Sequence, residues 1–80
     1  MDYEYVYLLK SEIGDHHYVG RTHDLKPRLA EHNRGNVPHT QKFAPWKIIA
    51  ATAFADKGKA IAFEQYLKSH SGRAFARRHF

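Results

Sequence analysis

The sequence predicts a small α+β domain, a three-stranded antiparallel sheet flanked by helices in the order β-β-α-β-α-α. Three observations lead there. An aromatic and branched run near the N-terminus alternates with period two. A second such run, Trp46-Lys47-Ile48-Ile49-Ala50-Ala51-Thr52-Ala53-Phe54, lies mid-chain. Two further stretches repeat their apolar residues at helical spacing behind aspartates.

In chain order, Tyr3-Glu4-Tyr5-Val6-Tyr7-Leu8-Leu9 reads as the first strand, with Tyr3, Tyr5, Tyr7 and Leu9 on one face and Val6 and Leu8 on the other. Gly14-Asp15 marks the turn of a hairpin. His16-His17-Tyr18-Val19-Gly20 is the return strand, which Gly20 is expected to end. The first helix is expected over residues 24–33, because Pro27 is tolerated only in a first turn. Gly35 stands near a C-terminal cap position. Residues 37–45 carry two prolines and read as a loop before the third strand, residues 46–54. Asp56 caps a second helix over residues 57–69. Ser71-Gly72 should break it ahead of a short basic helix over residues 73–79.

Eighty residues allow one domain, spanning 1–80. An apolar fraction of 42% argues against wholesale disorder. There is no cysteine, which excludes disulfides, thiolate nucleophiles and Cys-based metal sites. No apolar run approaches the roughly 20 residues that span a bilayer, and Asp2 and Glu4 do not suit a secretory signal, so a cytoplasmic protein without a membrane role is expected. Thirteen Lys and Arg against eight Asp and Glu give a net charge of +5, which puts a polyanion first among partners.

Several residues invite chemistry. On a helical wheel Glu64 falls about 40° from Ala60 and about 60° from both Ile61 and Leu67, inside the apolar stripe. A carboxylate there must be ion-paired, bound to a metal or protonated; a structural salt bridge, or a carboxylate at the edge of the stripe that reaches solvent, explains the same position. Arg28 and His32 are four apart on one helix face, where a phosphate could take a bidentate guanidinium contact and an imidazole hydrogen bond; a solvated flank beside Glu31 explains the same pattern. Tyr7 and Tyr18 sit in paired strands, and Tyr18 precedes a small residue and a cation at a strand end. A phenol works as a base only where cations or a metal stabilise the phenolate. His16 and His17 point to opposite faces, and no H-E-x-x-H is present, so a zinc site is disfavoured. Glu31-His32-Asn33 resembles the His and Asn of a ββα-metal nuclease site over three common residues. Arg73 and Arg77 share a helix face, which suits either a phosphate backbone or a solvated helix end.

Taken together, Tyr5-Val6-Tyr7, Tyr18-Val19-Gly20, Arg28 and His32 on the first helix, and Glu64 in the second resemble the GIY-YIG nuclease superfamily, from about Tyr5 to Phe80. The chain is most similar to its small stand-alone members, themselves similar to the nuclease module of the excision-repair subunit UvrC. The two motif tyrosines are eleven apart, the usual hairpin length of that family. The first motif departs from its name, with Tyr5 in place of glycine and Val6 in place of isoleucine, and no asparagine follows Asn36.

The resemblance implies a metal-dependent endonuclease that hydrolyses phosphodiester bonds in DNA. The catalytic set would be Tyr7, Tyr18, Arg28, His32 and Glu64, with Mg²⁺ or Mn²⁺ on Glu64. Arg28 would neutralise transition-state charge, Tyr7 or Tyr18 would take the proton of the attacking water with help from Arg21, and His32 would orient water or phosphate or relay the proton. Arg21, Lys26, His39, Thr40, Lys42, Arg73 and Arg77 are expected to contact nucleic acid, with His39-Thr40 on the loop before the third strand. A module this small must read DNA shape or single strands, act with low specificity, form a homodimer or borrow a protein partner. DNA repair is the expected role, although nothing in the sequence decides among repair, recombination, defence and mobile-element roles. The rivals are a non-catalytic nucleic-acid-binding or partner-binding module on the same fold, and a ββα-metal site built on His32.

Overall fold

The computed structural model describes residues 2–80 and realises the expected element order. The strands are β1 (Glu4–Ser11), β2 (His17–Thr22) and β3 (Trp46–Phe54), and the helices are α1 (Leu25–Asn33), α2 (Lys57–Lys68) and α3 (His70–His79), with a single 3₁₀ turn at Gln41–Phe43. The sheet is antiparallel throughout, in the order β2-β1-β3, so β1 is hydrogen-bonded on both edges. Among the described residues no helix is long and apolar enough to cross a membrane.

The alternation of β1 divides the core between the two faces of the sheet. Tyr7 and Leu9 pack with Trp46 on one side, under Leu25 and Leu29 of α1. Val6 packs on the other with Ala60 and Leu67 of α2, beside Phe63 and Phe75. The third strand runs over its expected residues, but a β-bulge breaks its register: Leu8 faces Ala50 and Leu9 faces Ile48, leaving Ile49 as an extra residue with no partner.

Caps and ties explain the boundaries. Pro27 is the third residue of α1, inside the first turn where no helical acceptor awaits its missing N–H. At the other end Gly35 takes φ +78°, while the Asn36 N–H donates to Glu31 O and the Gly35 N–H to His32 O, a Schellman stop. The Asn33 amide accepts from Trp46 N–H at 2.6 Å and donates to Trp46 O at 3.1 Å, tying the end of α1 to the start of β3. Asp56 caps α2 by accepting from the Lys59 N–H.

Two glycines act differently from expectation. Gly20 does not end β2, which runs on to Thr22. It lies opposite Tyr7, and a Cβ there would collide with the Tyr7 ring, so the missing side chain is room for that ring. Nor does Ser71-Gly72 break the second helix. The break is one residue, Ser69, which closes α2 and opens α3: its hydroxyl donates to Tyr66 O and accepts from the Gly72 N–H. Gly72 sits within α3, where a Cβ would lie 2.6 Å from Leu67 Cα and overlap Tyr66 O. That close approach lets α3 fold back on α2. Gly72→Ala should therefore destabilise the domain by about 3 kcal/mol, the upper range for overpacking, seen as a lower urea midpoint.

Candidate active site

The site begins with the Tyr7 side chain. Its ring leaves β1 across Gly20 and is buried, so its hydroxyl must find partners inside the protein. Both come from α1, one turn apart. Arg28 Nε donates to the hydroxyl at 3.3 Å, and His32 Nε2 lies 2.9 Å from it. The His32 ring is fully buried, and its Nδ1 lies 2.8 Å from Thr40 Oγ1.

The direction of the protons follows from the donor count. The Thr40 hydroxyl donates to Val37 O, so toward His32 it can only accept. His32 therefore carries its proton on Nδ1, and the bare Nε2 accepts from the Tyr7 hydroxyl. Burial and then the Arg28 charge lower the His32 pKa, against a smaller opposite pull from Glu31, so the ring is neutral at pH 7. Burial raises the Tyr7 pKa despite the hydrogen bond and charge of Arg28, with Tyr18 and Glu64 adding to the rise. The Arg28 pKa is itself raised, foremost by its hydrogen bond to Tyr7. Tyr7 is thus a phenol that can lose its proton only to His32, beside a guanidinium that stabilises the resulting phenolate.

Tyr18 completes this side. Its ring lies 5.0 Å from the His32 ring and 6.4 Å from the Tyr7 ring, centre to centre. The sequence-predicted Tyr7, Tyr18, Arg28 and His32 therefore come together. Arg28 is a third exposed, and its Nη1 approaches Glu31 at 3.7 Å, so the outer part of the guanidinium reaches solvent.

Glu64 stands apart from that hydrogen-bonded group. Its Oε1 accepts from Arg21 Nε at 3.3 Å and its Oε2 from Lys68 Nζ at 3.2 Å, while Arg21 Nη1 also holds Glu4 at 2.8 Å. The carboxylate is 18% exposed, as its place in the apolar stripe implied. Its charge still reaches Tyr7, whose pKa it helps to raise. Among the described residues no group of three or more His, Asp or Glu side chains is gathered for a metal; the carboxylates beside the site are Glu64 and Glu4, which meet at Arg21, and Glu31, which lies beside Arg28.

Three expected roles are corrected. Thr40 cannot touch a nucleic acid: it is fully buried and holds the His32 tautomer. His32 cannot contact water or phosphate directly, because both ring nitrogens are engaged inside the core, and only a proton relay through Tyr7 remains open to it. Arg21 does not assist either tyrosine; its guanidinium is shared between Glu4 and Glu64. Lys26, His39, Lys42, Arg73 and Arg77 are exposed, as nucleic-acid contacts require. The sequence reading missed Glu4, Lys68 and the inner role of Thr40. The four-residue spacing of Glu64 and Lys68 announced one of these. Nothing local announced Thr40, whose meeting with His32 depends on how the 34–45 loop folds back.

Comparison with known proteins bears on the family and the fold. The family described as the GIY-YIG catalytic domain matches residues 3–78. A UPF0213 protein of Streptococcus pneumoniae serotype 4 is 40% identical over 70 residues, covering 85% of this chain and 70% of its own. The UPF0213 protein BH0048 of Halalkalibacterium halodurans is 33% identical over 70 residues, covering 86% of this chain and 73% of its own. The solution NMR structure of UPF0213 protein BH0048 from Bacillus halodurans superposes with a TM-score of 0.57 at 31% identity, covering 96% of this chain and 81% of that one.

The buried relay makes stability depend on pH. The folded pKa of His32 lies below its usual 6.5, so the unfolded chain binds the proton more readily. The His32 contribution is fully present above about pH 6.5 and is lost as pH falls through the lowered folded value. Urea midpoints measured from pH 7.5 down to 5 should fall. Thr40→Val should cost a further roughly 1–3 kcal/mol at pH 7.5, because it leaves the His32 Nδ1–H buried without an acceptor.

Proposed function

Since the chain belongs to the GIY-YIG catalytic-domain family, we propose that it is a metal-dependent endonuclease that hydrolyses phosphodiester bonds in DNA. The observation that carries this reading is the directed chain Arg28–Tyr7–His32–Thr40. It gives one buried hydroxyl a cation on one side and a neutral base on the other, which a merely structural tyrosine does not need.

In the proposed reaction the attacking water approaches along the part-exposed Arg28 side chain to the remaining lone pair of Tyr7 Oη, and gives that oxygen its proton as the tyrosine proton passes to His32 Nε2. The Nδ1–H of His32 stays on Thr40 throughout, so the ring needs no rotation to become imidazolium. Arg28 stabilises the transient phenolate through Nε and presents its solvent-facing nitrogens to the phosphate as charge accumulates. Tyr18, whose hydroxyl bonds to no other described residue, is free to position phosphate or water.

Glu64 is the residue that would hold Mg²⁺ or Mn²⁺, with Glu4 as an outer neighbour. The donor set fits such an ion. A carboxylate at the solvent boundary suits a cation that keeps most of its waters, and the exposed Lys68 can leave Oε2 for solvent. When bound, the ion supplies positive charge to the leaving 3′ oxygen.

A non-catalytic binding module is the second reading, and one observation favours it. Arg21 and Lys68 already neutralise Glu64, so the carboxylate can sit near phosphate without a metal. Cleavage assays on single-stranded, duplex and branched DNA, with Mg²⁺, Mn²⁺ or EDTA, separate the two. Tyr7→Phe should lower the cleavage rate by about 10²–10⁴ while the ring still fills its site. Glu64→Ala should abolish metal-dependent cleavage, yet bind DNA in EDTA as well as or better than the unaltered protein, because Arg21 and Lys68 are released. Cleavage that survives in Glu64→Ala would overturn the metal assignment. A folded protein that binds DNA and cuts none of these substrates would establish the binding module.

A further inference from the structure

The sheet face under α2 and α3 is not wholly covered. Between β1, β2 and α3 lies a cleft of about 790 Å³, within the range of small-ligand sites. Its floor includes Leu8, Val19 and Ile49, and its wall includes Lys68, Arg73 and Arg77. Ile49 is the unpartnered bulge residue of β3 and lines the cleft with Leu8, so the bulge widens the apolar floor. The half-exposed Phe80 ring stands at the same cleft.

The charges are as one-sided as the floor is apolar. Asp15 is the one acidic side chain among the lining residues, against three cationic ones. Arg73 and Arg77 form no ion pair among the described residues. Arg73 also stands in the first turn of α3, where the helix dipole disfavours a cation and no acidic residue compensates. Phosphate oxygens would satisfy both guanidinium groups at their four-residue spacing. Lys68 lines the cleft and also reaches Glu64, so the cleft adjoins the proposed metal position.

We propose that this cleft is a nucleotide subsite for an unpaired strand: a base lies on Leu8, Val19 and Ile49 against Phe80, and its flanking phosphates lie on Arg73 and Arg77. An apolar floor offers nothing to the edge of a paired base, whereas the face of an unpaired one can pack on it. This rests on nucleic acid being the ligand, and not on its being cut.

The test is binding in EDTA, where no metal-dependent cleavage occurs. Fluorescence anisotropy would compare an oligothymidylate, an abasic strand with the same number of phosphates, and a duplex of equal length. The oligothymidylate should bind at least tenfold more tightly than the abasic strand. Phe80→Ala should remove most of that difference. Arg73→Ala with Arg77→Ala should weaken binding to both strands and lower the salt slope by roughly 0.7 for each lost phosphate contact. In ¹⁵N spectra the amides of Val19, Ile49 and Leu67 should shift with thymidine monophosphate. Equal affinity for the abasic strand, a preference for duplex, or unmoved amides at the cleft would each overturn the subsite. Cleavage that persists in such a case would leave the nuclease reading standing, and base-dependent binding without cleavage would do the reverse.

Discussion

The Tyr7–Gly20 pair is the constraint on which the rest of this small domain turns. Tyr7 lies on the central strand, and its ring can pass over β2 only where β2 has no side chain. That passage brings the hydroxyl to α1, where Arg28 and His32 meet it one helical turn apart. The hydroxyl fixes the seating of α1 on the sheet, and His32 in turn fixes the 34–45 loop through Thr40. Asn33 and the indole of Trp46, which donates to Thr40 O, secure the same loop from the other side. Fold and candidate chemistry are therefore one network around one phenol.

Much of this is legible in the sequence, and the residues show why. Signals that act locally were readable. Asp56 caps α2, Gly35 stops α1, Pro27 limits where α1 begins, and the alternation of β1 sorts its side chains between two cores. Signals that depend on a distant neighbour were not. Gly20 and Gly72 look like chain breakers, yet each is a point of close approach whose meaning lies with Tyr7 or with the backbone of Tyr66 and Leu67. The helical spacing of Arg28 and His32 placed both on one face, but it could not say that the histidine would be wholly enclosed. For the same reason Thr40 looked like a surface contact: its partner is eight residues away across a loop.

The two faces of the sheet carry different electrostatic tasks. The α1 face holds one cation beside groups that can exchange a proton but are neutral at rest. The α2 face holds paired charges, with Arg21 shared between Glu4 and Glu64 and Lys68 on the outer oxygen. A low-dielectric interior suits the first arrangement, since an uncompensated buried charge is costly. The solvent boundary suits the second, since exposed pairs can exchange partners at little cost. Glu64 is the link, because its charge is felt at the Tyr7 hydroxyl although the two do not touch.

The bulge at Ile49 also bears on how copies of this chain behave toward one another. A three-stranded sheet has two free edges, and β3 is the longer of them. An uninterrupted edge is a template on which another chain can add a strand. The extra residue divides β3 into two short runs of regular backbone, so an incoming strand would lose register partway along. The irregularity that opens the sheet face to a ligand thereby guards its edge against fibre-like assembly.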